Sequence, residues 1–170
     1  MSSTQQPDGV DMSEQKTSKA LFEIRKVYVK DISYESPQTP QIFTRDEEPT
    51  IDVQIRMDNT LLDKENGFYE SVITVTVTAK TDADTVFLCE IQQAGIFQIT
   101  NASDEELEIA LEVACPTTLF PYVRETISEM VGKGGFPQLL LNPINFESMY
   151  RRKNQEEQTD GEDRPSQVTH

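Results

Sequence analysis

The chain has 170 residues and a net charge of −15 at pH 7, long enough to bury one substantial core. Acids outnumber bases along its length, with 22 against 12 in residues 21–153. That balance argues against phosphate or nucleic-acid binding and favours basic partners. No apolar run reaches the ~20 residues of a membrane span, and the start MSSTQQPDGVDMSEQKTSK lacks the apolar centre of a signal peptide. A cytoplasmic protein without membrane insertion is therefore expected.

Residues 1–20 are polar and rich in Ser, Thr, Gln and Asp, which predicts a disordered tail. Phe22–Asp31 is β-rich, but Phe22, Ile24, Val27, Tyr28 and Val29 break alternation near Lys26. Either a bulge or a strand buried on both faces follows. Asp31 and Glu35 come at its end. From Ile32 to Pro49 three prolines predict a long crossing loop, since proline restricts itself and its predecessor. Its Tyr34, Ile42 and Phe43 argue against disorder, and either plug the core edge or form a working surface. Ile51–Met57 alternates cleanly, with Ile51, Val53, Ile55 and Met57 inward, and the polar run Asp58–Gly67 predicts a turn.

Tyr69–Ile99 reads as a central hairpin. Ile73, Val75, Val77 and Ala79 share one parity with Phe87, Cys89, Ile91, Phe97 and Ile99, which predicts Val77 opposite Cys89 and Val75 opposite Ile91 across a three-residue loop, Asp82-Ala83-Asp84. Val86, Leu88 and Glu90 then face outward. Leu88 beside a carboxylate is either a contact surface or ordinary exposed surface.

Beyond Ile99 the period becomes helical. Ser103 with Glu106 forms a capping-box pattern, with three acids where the helix dipole favours them. This helix is expected to stop at Pro116. A second, starting at Thr117 or Thr118 with Pro121 in its first turn, should present Leu119, Phe120, Val123, Ile127, Met130 and Val131 and end at Gly132, Gly134 and Gly135. Phe136–Pro143 is too short for an independent helix and must lie on something apolar. Asn145 can cap a last helix from Phe146 whose apolar residues Phe146, Met149 and Tyr150 fall within one turn. Residues 154–170 read as a disordered acidic tail, leaving one domain over 21–153.

Catalytic chemistry has few candidates. The single histidine is His170, in the tail, and no phosphate-loop, nucleophile-elbow, dinucleotide or zinc-protease pattern occurs. Cys89 and Cys115 lack metal-site spacing and are expected to be reduced, buried thiols. The acids Asp46, Glu47 and Glu48 lack loop-ligand spacing for calcium. Neither enzymatic activity nor a cofactor is expected. What remains is a surplus of apolar residues in irregular segments: Tyr34, Ile42, Phe43, Phe136, Leu139, Leu140, Leu141, Ile144, Phe146, Met149 and Tyr150. These pack across subunits, line a groove for apolar ligands, or do both; a closed pocket for a small apolar ligand is the alternative.

Three stretches, KDISYESP (30–37), FLCEIQQAGIFQI (87–99) and CPTTLFPYVRETISEMVGKGGFPQLLLNPINFESMY (115–150), resemble the SecB family of bacterial export chaperones. The resemblance runs from about Phe22 to Tyr150. It implies an α+β fold, a four-stranded antiparallel sheet with helices packed on one face, assembled as a homotetramer, a dimer of dimers, pairing through first strands and through the helix from about Thr118 to Val131. It also implies an ATP-independent holdase that keeps unfolded precursor proteins in grooves and delivers them to the SecA motor. The groove residues would be Tyr34, Ile42, Phe43, Phe136, Leu140, Ile144, Phe146, Met149 and Tyr150. SecA would bind at Asp31, Glu35, Leu88 and Glu90. Where family members often carry a tryptophan before the second strand, this chain has Asp46-Glu47-Glu48. Related chaperones also serve toxin–antitoxin systems, which stays open as a second client class.

Overall fold

A computed structural model describes residues 19–162, with side chains as far as residue 156. Most of the predicted N-terminal tail and residues 163–170 lie outside that range. Four strands, β1 (Leu21–Glu35), β2 (Thr50–Asp63), β3 (Phe68–Lys80) and β4 (Thr85–Thr100), form one antiparallel sheet in the order β1-β4-β3-β2.

The β3–β4 hairpin has the register that its parity dictates: Val77 opposes Cys89 and Val75 opposes Ile91. Ile73, Val75, Val77, Ala79, Cys89, Ile91 and Phe97 are fully buried on the inner face. The expected three-residue loop is corrected. Lys80 opposes Thr85 while Ala79 opposes Phe87, so the loop is Thr81–Asp84 and Val86 is a bulge. An extra residue in one strand sets two residues against one, and Val86, expected outward, is buried. The turn closes on itself: the Thr81 N–H donates to the Asp84 carbonyl at 2.9 Å.

In β1 the broken alternation is a bulge at Arg25, with a second at Lys30. The strand runs to Glu35, so Ile32–Glu35 belongs to the sheet and not to the crossing loop. The reason is pairing: Tyr34 opposes Cys89 and Glu35 opposes Leu88 in the long partner β4. The loop proper carries a 3₁₀ turn, Gln41–Thr44, that buries Ile42. Strand β2 likewise extends to Asp63, six residues past Met57, because β3 offers it partners as far as Phe68. The expected turn shrinks to the segment after Asp63, whose carboxylate accepts the Glu65 and Asn66 N–H groups at 2.9 and 3.1 Å.

Helix α1 (Asp104–Ile109) begins on the predicted capping box, with Ser103 and Glu106 bonded reciprocally. It does not stop at Pro116. A π-helical segment, Ala110–Ala114, leads without a break into α2 (Cys115–Lys133), which contains Pro116 in its first turn and Pro121 inside. The Cys115 N–H reaches back five residues to the Ala110 carbonyl. This wider turn accommodates a proline ring that would clash with the carbonyl four residues back in a regular helix. The Thr117 and Thr118 hydroxyls donate to the Val113 and Ala114 carbonyls at 2.6 and 2.9 Å. Leu119, Val123, Ile127 and Val131 seal α2 onto the inner sheet face, each side chain contributing about 1.5–3 kcal/mol by burial.

The end of α2 is set by two glycines. A Cβ on Gly134 would lie 1.9 Å from the Tyr34 hydroxyl oxygen, and Gly135 takes φ +87°. The chain then returns through Phe136–Asn145 to α3 (Phe146–Glu162), capped by Asn145, whose Oδ1 accepts the Ser148 N–H at 2.9 Å. This helix passes the expected boundary at residue 153. Phe146 anchors it, buried and edge-on to Phe120 with ring centroids 5.8 Å apart.

On the outer face Lys30 Nζ donates to both Glu70 oxygens, at 2.9 and 2.8 Å, and the Tyr28 hydroxyl donates to the same carboxylate, tying β1 to β3 across β4. The Lys30 and Tyr28 hydrogen bonds, in that order, hold the Glu70 carboxyl below its ordinary 4.5. Burial first, then Glu70, pushes Tyr28 up to about 12.

Two outcomes are expected. Gly134→Ala costs about 1–3 kcal/mol through overpacking on Tyr34, seen as a lower urea midpoint with unchanged slope. Because the Glu70 pKa is depressed on folding, its stabilisation is present above the unfolded value and lost as pH falls through the folded one. Glu70→Gln should therefore reduce the stability difference between about pH 7 and about pH 4 measured by urea titration.

Candidate functional site

Two surfaces gather the residues singled out from the sequence. The first is an apolar cavity of about 550 Å³ between the crossing loop, the β4 bulge and the segment after α2. Gly135 turns the chain so that Phe136 packs on Phe87 and on Phe43, both at 5.2 Å between ring centroids. Tyr34 stacks beneath on Phe87 at 6.1 Å. A file of four rings thus runs from the core out to Phe43, which is 51% exposed. Ile42, Phe43 and Phe136 share this cavity with Val86, Leu139, Pro49 and Ile51. Glu47 and Glu48 lie at its rim, while Arg45 is engaged by Asp84 at 2.8 Å.

The other expected groove residues lie elsewhere. Leu140, 75% exposed, borders a separate depression of about 530 Å³ with Pro121, Arg124, Ser128 and Leu141. Ile144 and Met149 are half-buried against the core, Tyr150 is half-buried on α3, and Phe146 is buried as the helix anchor. Val86, Phe87 and Ile51 are cavity residues that reading by alternation placed in the sheet alone. Their signal was position: Val86 and Phe87 adjoin the turn and Ile51 lies at the start of an edge strand.

The second surface is the outer face of the sheet, which carries no helix among the described residues. Glu35 lies opposite Leu88, Ser33 opposite Glu90 and Asp31 opposite Gln92, so Asp31, Glu35, Leu88 and Glu90 fall on three adjacent rows of one face. Asp31 and Glu35 are exposed; Leu88 and Glu90 are half-buried. The Thr76 hydroxyl donates to Glu90 Oε2 at 2.7 Å and orients that carboxylate.

Cys89 and Cys115 are free and buried. Burial pushes their thiols up to about 11 and about 12, so both are protonated near neutral pH and poor nucleophiles. Among the described residues no helix is long and apolar enough to cross a membrane.

Comparison with known proteins accounts for this arrangement. The family model described as preprotein translocase subunit SecB matches residues 14–157. The protein-export protein SecB of Chromobacterium violaceum is 52% identical over 142 residues, covering 84% of this chain and 93% of the relative. That of Methylobacillus flagellatus is 53% identical over 136 residues, covering 80% and 85%. Among solved structures, the Mycobacterium tuberculosis SecB-like chaperone in complex with a ChAD peptide from an antitoxin aligns with TM-score 0.60 at 16% identity, over 72% of this chain and 90% of that one. The four-stranded antiparallel sheet, the long helix on its inner face and the relatives' agreement over most of the length all lead to one assignment: the chain belongs to the SecB family of protein-export chaperones.

Proposed function

We propose that this chain is a cytoplasmic, ATP-independent holdase that keeps unfolded precursor proteins in its apolar cavity and hands them to the SecA motor. The observation that carries the reading is the ring file ending at the exposed Phe43, a lining that offers apolar contact without a sequence-specific polar constellation. Burial at about 25 cal/mol per Å² lets many shallow contacts along an extended client sum to useful affinity. No chemical step and no cofactor are required. A client that folds fast hides its apolar segments before capture, so selection is kinetic.

Assembly as a dimer of dimers is supported by β1. Phe22, Ile24, Val29 and Ile32 are on its inner face yet 39–50% exposed, an apolar edge suited to a second copy. Longer clients then span several grooves, and effective concentration raises their avidity. Handover to SecA is supported by the acidic outer face, which faces away from the apolar cavity and so leaves it open while the motor is docked. The antitoxin peptide held by the SecB-like chaperone keeps toxin–antitoxin clients as a second class, while the export relatives at 52–53% identity favour secretory precursors.

Phe43→Ala with Leu140→Ala should weaken capture of an unfolded secretory precursor about tenfold with little change in melting temperature. Phe146→Ala should instead destabilise the fold by about 3–5 kcal/mol. Both are read by aggregation suppression and calorimetry, and unchanged capture in the double variant would remove the groove assignment. Asp31→Lys should weaken SecA binding in titration and leave client capture intact. Native mass measurement should give a tetramer.

A further inference from the structure

The crossing loop carries Ile42 and Phe43 on its 3₁₀ turn, and Phe43 is the open end of the ring file. Ile42 is buried, so its side of the turn is fixed by the core. Phe43 is held by less, since its ring meets only Phe136 and the bare backbone of Gly135 on the cavity side. Among the described residues two side-chain hydrogen bonds tie this loop to the β3–β4 hairpin, one on either side of the turn. The Ser36 hydroxyl donates to the Val86 carbonyl at 2.9 Å, and Arg45 Nη1 donates to Asp84 Oδ2 at 2.8 Å.

The second bond joins two well-placed ends. Asp84 is a fixed post, because its N–H donates to the Thr81 hydroxyl at 3.2 Å and its carbonyl accepts the Thr81 N–H at 2.9 Å. Arg45 closes the 3₁₀ turn two residues beyond Phe43, with its N–H donating to the Ile42 carbonyl at 3.3 Å. Glu47, on the same loop, also attracts the guanidinium, yet the hydrogen bond goes to the distant acid and so links loop to hairpin. An exposed ion pair adds little to global stability. The same small free energy acts directly on binding where it selects one position of a loop, because apparent affinity falls in proportion to the population of the competent arrangement. We propose that Arg45 and Asp84 are positioning residues for client capture: their ion pair clasps the crossing loop to the hairpin turn and holds Phe43 at the mouth of the cavity. The inference rests on the cavity being the client site.

The test titrates an unfolded secretory precursor against the parent chain, Arg45→Glu, Asp84→Arg, the double reversal and Phe43→Ala, with melting temperatures alongside. Each single reversal should weaken capture about fourfold with the melting temperature unchanged, and the double reversal should recover most of the loss. The two single variants shift net charge in opposite directions, so an effect of charge on the client would move them apart, whereas loss of the clasp moves them together. Their deficit should shrink as salt is raised, since the pair is partly exposed. In a Phe43→Ala background, breaking the clasp should add nothing further, because both changes remove the same contact. If Arg45→Glu weakens capture while Asp84→Arg captures as the parent does, Arg45 acts through its own charge and the clasp is overturned. A lower melting temperature with unaltered capture would make the pair merely structural and overturn it equally. If both reversals capture as the parent does while Phe43→Ala is weakened, the clasp fails and the cavity stands; if Phe43→Ala is also unaffected, the cavity reading fails and the clasp falls with it.

Discussion

One helix is too narrow for four strands. A sheet of four strands about 4.8 Å apart is roughly 19 Å wide, whereas a helix with its side chains covers about 10 Å. Helix α2 lies over β3 and β4, where the inner-face residues are fully buried. The inner faces of both edge strands run past its cover, leaving Phe22, Ile24, Val29 and Ile32 on β1 and Ile51 and Val53 on β2 between 39% and 50% exposed. Both surfaces proposed to work on apolar contact follow from this mismatch: the β1 edge for a second copy, and the cavity beside Ile51 for a client.

The outer face obeys a different constraint. Among the described residues it carries no helix, so it must be tolerable in water, and the threonine series, half-buried at Thr76 and Thr78, meets that need while keeping strand preference. Acidic side chains around the series give the face its sign, consistent with the surplus of acids in the chain as a whole. The apolar cavity and the acidic surface proposed for docking thus lie on opposite faces of one sheet, separated by a single layer of backbone. The two proposed binding events would be altered by different substitutions.

The irregular segments do more than connect. The π segment before Pro116 lets one helix continue where that proline would otherwise break it, and that continuity carries the apolar stripe from Leu119 to Val131 along the sheet. At the other end, Gly134 and Gly135 allow the chain to fold back over Tyr34 and place Phe136 between Phe87 and Phe43. The ring file depends on the absence of two side chains as much as on the presence of four.

By itself the sequence determined what is periodic or local. The parity of Ile73–Ala79 against Phe87–Ile91 dictated the β3–β4 register, because a one-residue slip would expose the core; Ser103 and Glu106 marked a helix start; and the motifs of residues 30–37, 87–99 and 115–150 pointed to the family. Tertiary structure decided whatever depended on a distant partner. Strands β1 and β2 run past their sequence signals because β4 and β3 offer pairing there, and Val86 turns inward because a bulge changes the count of opposed residues. The apolar residues named for a groove were separated for the same kind of reason. Hydrophobicity marks a side chain for cover without naming what covers it, so only packing could make Phe146 an anchor, Tyr34 a floor, Phe43 a rim and Leu140 a neighbour of a different depression.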